Sequence, residues 1–187
     1  MAIEISNKCI KMELPNGKVV DILSSVFQEI GKWLQIQPSL PESGGYIVGY
    51  KHKKTGNISL EAVSHPYPCD RHGREYFTIR DLKHWMFLSK MQRIYKSYYM
   101  GVWHTHPQRI PEPSEVDWND WYQTLREDKT GCNYIFFIIA GTHEARVWVG
   151  NFITMEILEI FECQKVEGIY KKVSENSIGG NNDNKTN

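Results

Sequence analysis

The chain has 187 residues, 22 basic and 22 acidic side chains, a formal net charge of zero and 41% hydrophobic residues. This length is typical of one globular domain, and balanced charge argues against a nucleic-acid partner, because nucleic-acid binders usually carry a basic surplus. No segment reaches the roughly 18 apolar residues of a membrane span, and the amino terminus lacks the pattern of a signal peptide. We therefore expect a cytoplasmic protein with no membrane partner, whose four widely spaced cysteines are reduced.

The first third of the chain is predicted to form strands around one amphipathic helix. An apolar–polar alternation at residues 10–14 runs into a Pro-Asn-Gly turn, which indicates a strand or a small hairpin. Apolar residues then recur at three-and-four spacing over residues 21–35, the pattern of a helix with one buried face. Residues 44–50 and 58–63 are strand-like runs separated by a basic turn, so we expect a second hairpin.

A polar loop and a second helix are predicted next. Residues 64–74 are rich in Pro, His, Arg and Gly, which indicates a loop, and a short strand is expected at residues 75–79. Asp81 lies where a helix cap is expected. The following apolar residues recur with helical spacing, so we expect them to share one buried face. They are Trp85, Leu88, Met91, Tyr95 and Tyr98.

The remainder of the chain predicts strands on either side of one helix, at residues 114–126. That helix is expected to bury Val116, Trp121 and Leu125. Strands are expected at residues 99–103, 133–140 and 144–150, and residues 152–162 close the fold.

Helices and strands are thus interleaved, and residues 135–140 form a near-continuous apolar strand. This pattern predicts the α/β (α+β) class, with a mixed sheet flanked by helices. We expect one domain over residues 1–170. The polar composition at the carboxyl end predicts a disordered tail over residues 171–187, because such a segment buries too little apolar surface to offset its ordering entropy.

The most informative pattern is the stretch WHTHPQRIPEPSEVD. It places His104 and His106 two residues apart on a predicted strand, where residues i and i+2 point to the same face. Ser114 and Asp117 follow. Hydrolytic zinc sites use three nitrogen or oxygen ligands and leave a fourth position open for water. His104, His106 and Asp117 supply such a set.

Asp117 also has a structural interpretation. Ser114 followed three residues later by a carboxylate is a helix-start signature, in which each side chain bonds the other residue's backbone N–H. The capping and ligand interpretations are compatible, because a helix start fixes the position of the carboxylate.

The pattern of His104, His106, Ser114 and Asp117 resembles the signature of the JAMM, or MPN-plus, zinc metallopeptidases, which remove ubiquitin and ubiquitin-like proteins from their conjugates. That family also requires an upstream glutamate, and Glu42, in PESGGYIVGY, stands in its place. The order of elements from residue 21 to about 160 follows the family too. The resemblance implies a single JAMM/MPN domain of cytidine-deaminase-like architecture, with one Zn2+ per chain.

The same resemblance implies a role for each residue. Glu42 takes a proton from the attacking water and passes it to the departing amine. Ser114 donates a hydrogen bond to the tetrahedral oxyanion.

A narrower resemblance rests on flanking segments. ESGGYIVGY, FTIRD and GVWHTHP look like the bacterial branch found as the CD-NTase-associated JAMM peptidase of CBASS antiphage operons. It implies a protein substrate with a ubiquitin-like linkage, in which the carboxyl terminus of a CD-NTase is released from its target. It also implies an E1/E2-like enzyme as the operon partner.

Several alternatives stay open. The alternative within the family is a processing peptidase that trims a sulfur-carrier protein to its terminal Gly-Gly. A non-catalytic MPN scaffold and a DNA-associated JAB domain are rivals of another class. The residues His65, Cys69 and His72 are either a second, structural zinc site or part of an ordinary polar loop. Cys132 and Cys163 are expected to be small buried residues.

Overall fold

The computed structural model describes residues 9–37, 39–166 and 169–172. It has two kinds of layer, strands and the helices that cover them. The strands are β1 (Ile10–Glu13), β2 (Val19–Ile22), β3 (Gly44–Lys51), β4 (Ile58–Val63), β5 (Arg71–Gly73), β6 (Tyr76–Thr78), β7 (Tyr98–Thr105), β8 (Tyr134–Ala140), β9 (Ala145–Asn151), β10 (Ile157–Ile160), β11 (Cys163–Val166) and β12 (Ile169–Lys172). The helices are α1 (Ser24–Ile30), α2 (Lys83–Lys90) and α3 (Glu115–Glu127), with a 3-10 turn at Gly31–Trp33 and a π turn at Met91–Tyr95.

One eight-stranded mixed sheet organises the molecule, in the order β1-β2-β4-β3-β7-β8-β9-β10. Neighbouring strands pair antiparallel except β2 with β4 and β7 with β8, which are parallel. The sheet curls until its two ends meet, since Glu13 N–H donates to the Phe161 carbonyl over 3.4 Å beyond the end of β10. The pairs β5–β6 and β11–β12 form separate two-stranded sheets.

Strand β8 lies between two hydrophobic clusters and is buried along its whole length. Phe136 and Ile138 pack into the cluster that includes α1, whereas Ile135 and Phe137 pack into the cluster that includes α3. A strand covered on both faces needs apolar residues at consecutive positions, which explains the near-continuous apolar run. The predicted fold class, α/β (α+β) with a mixed sheet flanked by helices, is confirmed.

The start of the first helix differs from the prediction. Residues 19–22 form strand β2, which pairs with β1 and β4, so the helix begins at Ser24 instead of residue 21. Its regular part ends at Ile30 and the 3-10 turn ends at Trp33, two residues before the predicted end. Helical spacing alone cannot separate a short strand from the helix that directly follows it.

The predicted buried face of α2 is wrong. Trp85 is 62% exposed and Tyr95 58%, while the buried side chain is that of His84. Its ring bonds Ser64 Oγ through Nδ1 (2.7 Å) and Asp70 Oδ2 through Nε2 (2.8 Å). A polar side chain therefore anchors this helix, which apolar periodicity cannot reveal.

Three smaller predictions concern a buried side chain of α3, the cap of α2 and the loop after β4. Val116 is 66% exposed instead of buried, although Trp121 and Leu125 are buried as expected. Asp81 precedes α2 and accepts the Lys83 N–H, but the cap position itself is Leu82, which makes no capping bond. The predicted loop at residues 64–74 contains strand β5, which pairs with the expected short strand β6.

The predicted domain boundary stays a prediction. Most of the predicted tail, residues 171–187, lies outside the described residues; residues 171 and 172 end strand β12. Among the described residues, none of the helices has the length and apolar character that crossing a membrane requires.

Candidate functional site

The two histidines lie at the carboxyl end of β7, between β3 and β8. His104 is opposite Gly44 on β3 and Ile139 on β8. His106 follows the last residue of the strand, and its N–H donates to the Ala140 carbonyl over 2.9 Å. Gly44 is required here, since a Cβ at that position would lie 2.6 Å from the Trp103 carbonyl oxygen. Because β3 and β7 pair closely, the residues that directly precede Gly44 lie next to the imidazoles.

His104, His106 and Asp117 lie together and form one group of side chains that could hold a metal ion, called the metal group below. His104 Nε2 lies 3.1 Å from His106 Nε2 and 2.9 Å from Asp117 Oδ1. His106 Nε2 lies 3.5 Å from Asp117 Oδ2. Ligands about 2.0–2.1 Å from a tetrahedral zinc lie about 3.3 Å from each other, so both the separations and the donor types fit this ion.

Asp117 is both a helix cap residue and a member of this group. Its Oδ2 accepts the Ser114 N–H (2.6 Å) and hydroxyl (2.7 Å), while Ser114 Oγ accepts the Asp117 N–H (3.2 Å). This capping box leaves Oδ1 facing His104. Burial alone would raise the pKa of Asp117. The hydrogen bond from His104, the charge on His104 and the hydrogen bonds from Ser114 hold it well below its usual range.

Glu42 lies next to His106, two residues before β3. Its side chain is mostly buried, and Oε1 is 3.8 Å from His106 Nε2. Burial raises the pKa of Glu42 to about 7, against the lowering influence of a charged His104. Its N–H donates to the Gly73 carbonyl over 2.7 Å, so hairpin β5–β6 supports this residue. A carboxyl group with such a pKa exchanges protons readily near neutral pH.

Burial also acts on His106. It lowers the pKa of His106, and positive charge on His104 lowers it further. The neutral imidazole is thereby favoured, which is the form that binds a metal.

The second candidate metal group is not brought together. Within the residues that the structure describes, the triad above is the one group of suitable ligands, and His65, Cys69 and His72 form none. The His65 ring stacks on Trp33 at 5.8 Å, and Cys69 is exposed. His65 and Cys69 lie in an ordinary polar loop, and His72 lies in strand β5.

The two remaining cysteines differ in burial. Cys163 is buried, as expected, whereas Cys132 is only partly buried.

Sequence reasoning missed the groups that support the site. Gln35 and Thr105 are buried and hydrogen-bonded to each other, although 70 residues separate them in the chain. Arg146, on β9, donates to the Pro111 carbonyl over 3.2 Å and pairs with Glu112 in the loop between His106 and α3. No local spacing pattern points to such contacts, because the partners meet only after the sheet has formed.

Comparison with known proteins supplies relatives for this arrangement. The chain is 23% identical to a CD-NTase/cGAS isopeptidase of Escherichia coli (strain TW11681), over 75% of this chain and 86% of the relative. It is 24% identical to a CD-NTase/cGAS isopeptidase of Vibrio cholerae serotype O1, over 77% and 88%. The solution structure of protein DSY2949 from Desulfitobacterium hafniense covers 83% of this chain and 97% of that chain at 17% identity, with a TM-score of 0.43.

The family model of the prokaryotic homologs of the JAB domain matches residues 24–151, which include all five predicted site residues. This match spans most of the chain and confirms the family resemblance of the motif. The chain therefore belongs to the prokaryotic homologs of the JAB domain.

Proposed function

We propose that this protein is a zinc-dependent isopeptidase that cleaves a ubiquitin-like linkage and releases a CD-NTase from its targets in a CBASS antiviral system. The observation that carries the proposal is the convergence of His104, His106 and Asp117 beside the buried carboxyl group of Glu42. Family membership supports hydrolysis of a peptide or isopeptide bond. The two relatives named CD-NTase/cGAS isopeptidase support the substrate class.

Each site residue has a separate chemical role in this proposal. His104, His106 and Asp117 hold one Zn2+, which when bound supplies Lewis acidity to a water molecule and to the scissile carbonyl. Glu42 accepts the proton of the attacking water and returns it to the departing amine. A positive charge at the ligands favours the carboxylate form of Glu42, which is the form that accepts a proton.

Ser114 is proposed to stabilise the oxyanion. Its hydroxyl donates to Asp117 Oδ2 and is exposed to solvent. Rotation about its Cβ–Oγ bond turns that hydrogen toward the substrate, while Ser114 Oγ still accepts the Asp117 N–H and the Ser114 N–H keeps its own bond to Asp117. Loss of one such donor lowers kcat by about 100- to 1,000-fold in other hydrolases.

A cleavage assay with matched variants tests the proposal. The substrates are a CD-NTase conjugate and a carboxyl-terminal fusion, offered to wild type, zinc-stripped protein, Glu42→Gln and Glu75→Gln. Glu75 is the matched control because it is an exposed glutamate that is not a member of the metal-ligand group. We expect Glu42→Gln to lose at least about 100-fold in kcat with its zinc retained, and Glu75→Gln to stay within about 3-fold.

The outcomes separate the alternatives. Equal cleavage by wild type, zinc-stripped protein and Glu42→Gln contradicts the zinc mechanism. Cleavage of a short extension on a sulfur-carrier protein but not of the conjugate favours the processing peptidase. Wild-type protein that binds no zinc favours the non-catalytic scaffold. The E1/E2-like operon partner and the lack of a nucleic-acid partner stay predictions.

A further inference from the structure

Gln35 and Thr105 are two buried neutral side chains next to the site. Gln35 follows the 3-10 turn after α1 and is 3% exposed. Thr105 is fully buried and lies in the chain between His104 and His106. Neither side chain belongs to the metal group, and neither carries a charge. Their burial means that each polar atom must find a partner inside the protein.

Gln35 uses both ends of its amide. Nε2 donates to the Leu40 carbonyl and to the Arg74 carbonyl, each over 3.1 Å. Oε1 accepts the Thr105 hydroxyl over 3.2 Å. One side chain therefore joins three separate segments: the loop before Glu42, the hairpin β5–β6 and the strand that carries the histidines.

Thr105 completes the connection to Glu42. Its Oγ1 accepts the Ser43 N–H over 3.0 Å, and its own N–H donates to the Ser43 carbonyl over 2.9 Å. Ser43 is the residue directly after Glu42, and Leu40, held by Gln35, is two residues before it. The backbone around Glu42 is thus tied on both sides to the strand of the histidines.

The hairpin contact acts on the same residue. Glu42 N–H donates to the Gly73 carbonyl, and the next carbonyl along the hairpin, that of Arg74, is the one that Gln35 holds. A shift of the hairpin would therefore move Glu42 relative to the two imidazoles.

From these contacts we propose that Gln35 and Thr105 form a clamp that positions the Glu42 carboxyl group relative to His104 and His106. The proposal rests on the proposed function, in which Glu42 is the general base. Gln35 and Thr105 are positioning residues, since they touch neither the metal group's donor atoms nor the carboxyl group itself. A misplacement of a reacting group by about 1 Å lowers the rate by about 100-fold, so a fixed backbone at residues 40–43 has a direct effect on turnover.

Thr105→Val is the sharpest test, because valine keeps the shape of threonine and removes its hydroxyl. The change leaves the Ser43 N–H and Gln35 Oε1 without their partner. We expect kcat to fall by about 10- to 100-fold, with KM within about 3-fold of wild type and one zinc per chain retained. Thr105→Ser, which restores the hydroxyl and loses only the methyl group, is expected to recover most of the lost kcat.

Two results from this pair of variants would overturn the proposal. Wild-type kcat in Thr105→Val shows that the hydroxyl does not position Glu42. An equal loss in Thr105→Ser and Thr105→Val shows that packing of the methyl group, and not the hydrogen bond, is responsible. Gln35→Met, which removes the amide but keeps much of its volume, must reproduce the loss of kcat in Thr105→Val.

A second measurement does not depend on catalysis. Amide hydrogen exchange, followed by NMR on zinc-free protein, reports on the Ser43 and Glu42 N–H groups directly. We expect their exchange to be about 10-fold or more faster in Thr105→Val than in Thr105→Ser, with the Phe137 amide in β8 unchanged as the control. Unchanged exchange at residues 42 and 43 contradicts the clamp. Faster exchange in a protein whose wild type cleaves no conjugate supports the clamp and contradicts the proposed function.

Discussion

The two loops that complete the site are fixed to the sheet by different chemistry. The Glu42 loop, residues 34–37 and 39–43, is held by hydrogen bonds from buried, neutral groups of Gln35 and Thr105. The metal loop, residues 107–114, leads from His106 to the start of α3 and is held in part by Arg146. Buried neutral bonds are insensitive to salt, whereas partly exposed charges are screened. The comparison therefore predicts a Glu42 loop of constant geometry and a metal loop whose order depends on ionic strength.

The Arg146 contacts show why salt should matter. Its guanidinium donates to both carboxylate oxygens of Glu159, over 2.7 and 2.6 Å, and pairs with Glu112. The side chain of Glu112 is 65% exposed, so this part of the network is open to counter-ions. Backbone bonds also hold the loop, since Thr142 N–H donates to the Gln108 carbonyl over 2.8 Å.

Asp117→Asn is expected to have the largest effect, because it removes one negative charge both from the group with His104 and His106 and from the end of the metal loop. The amide retains a capping acceptor but removes the anionic oxygen opposite His104. We expect zinc affinity to fall by at least about 100-fold, measured by competition with a chromophoric chelator. Glu115→Gln removes an exposed carboxylate from the same helical turn and is expected to bind zinc like wild type. Similar affinities for both variants would falsify the ligand role of Asp117.

Asp70 is charged and buried, so it tests whether burial or the absence of charge makes an interaction insensitive to salt. Asp70 lies at the base of hairpin β5–β6, and its side chain is fully buried. Burial alone would raise the pKa of Asp70, but backbone hydrogen bonds from Arg80, Asp81 and Tyr67, with that from His84, lower it overall. In Asp70→Asn, one acceptor oxygen becomes an NH2 group that faces N–H donors and cannot accept from them. We therefore expect this variant to lose about 2–4 kcal/mol of unfolding free energy at pH 7.

The pH dependence of that loss follows from the direction of the shift. A lowered folded pKa contributes stability above the unfolded value of about 3.9, and this contribution disappears as the pH falls through the folded pKa. The difference between wild type and Asp70→Asn, measured by urea unfolding, should narrow below about pH 4 and should be the same in 0.05 and 1 M NaCl. A difference that shrinks with salt would show that burial does not protect this site.

The smallest effect is expected for Arg146→Met. We expect a loss of about 1 kcal/mol of unfolding free energy in 0.05 M NaCl and a clearly smaller loss in 1 M NaCl, where the screening length is about 3 Å. Urea unfolding at both salt concentrations measures it, and Thr105→Val, with a loss independent of salt, is the matched comparison. Salt-independent losses in both variants would remove the distinction between the two loops.

Short-range patterns in the sequence predicted the parts of the site that lie on single elements. His104 lies in β7 and His106 directly follows its last residue, and Ser114 and Asp117 lie at one helix start, so local geometry brings each pair together. Glu42 was found only through the family resemblance, because 62 residues separate it from His104 and strand pairing alone makes them neighbours.

The parts of the fold that could not be predicted depend on long-range or polar contacts. Strand β2 is only four residues long, and its pairing with β4 is a parallel contact across the intervening helix and strand. Helix α2 is anchored by His84, whose partners Ser64 and Asp70 lie in the connection between β4 and β5. Hydrophobic periodicity reports apolar burial, so it has no means of detecting a helix that a buried imidazole holds in place.

The anchoring of α2 by Ser64, His84 and Asp70 has one more consequence. Hydroxyl, imidazole and carboxylate also link nucleophile, base and acid in serine hydrolases, but there the hydroxyl bonds Nε2 and the carboxylate bonds Nδ1, whereas here Ser64 bonds Nδ1 and Asp70 bonds Nε2. Here Ser64 is 1% exposed and also accepts the Tyr46 N–H, so no acyl group or fluorophosphonate reagent can reach its oxygen. A search by residue type alone for a serine triad would match this chain at the wrong place. Both the order of the ring nitrogens and the closed path to the hydroxyl separate this structural cluster from a catalytic triad.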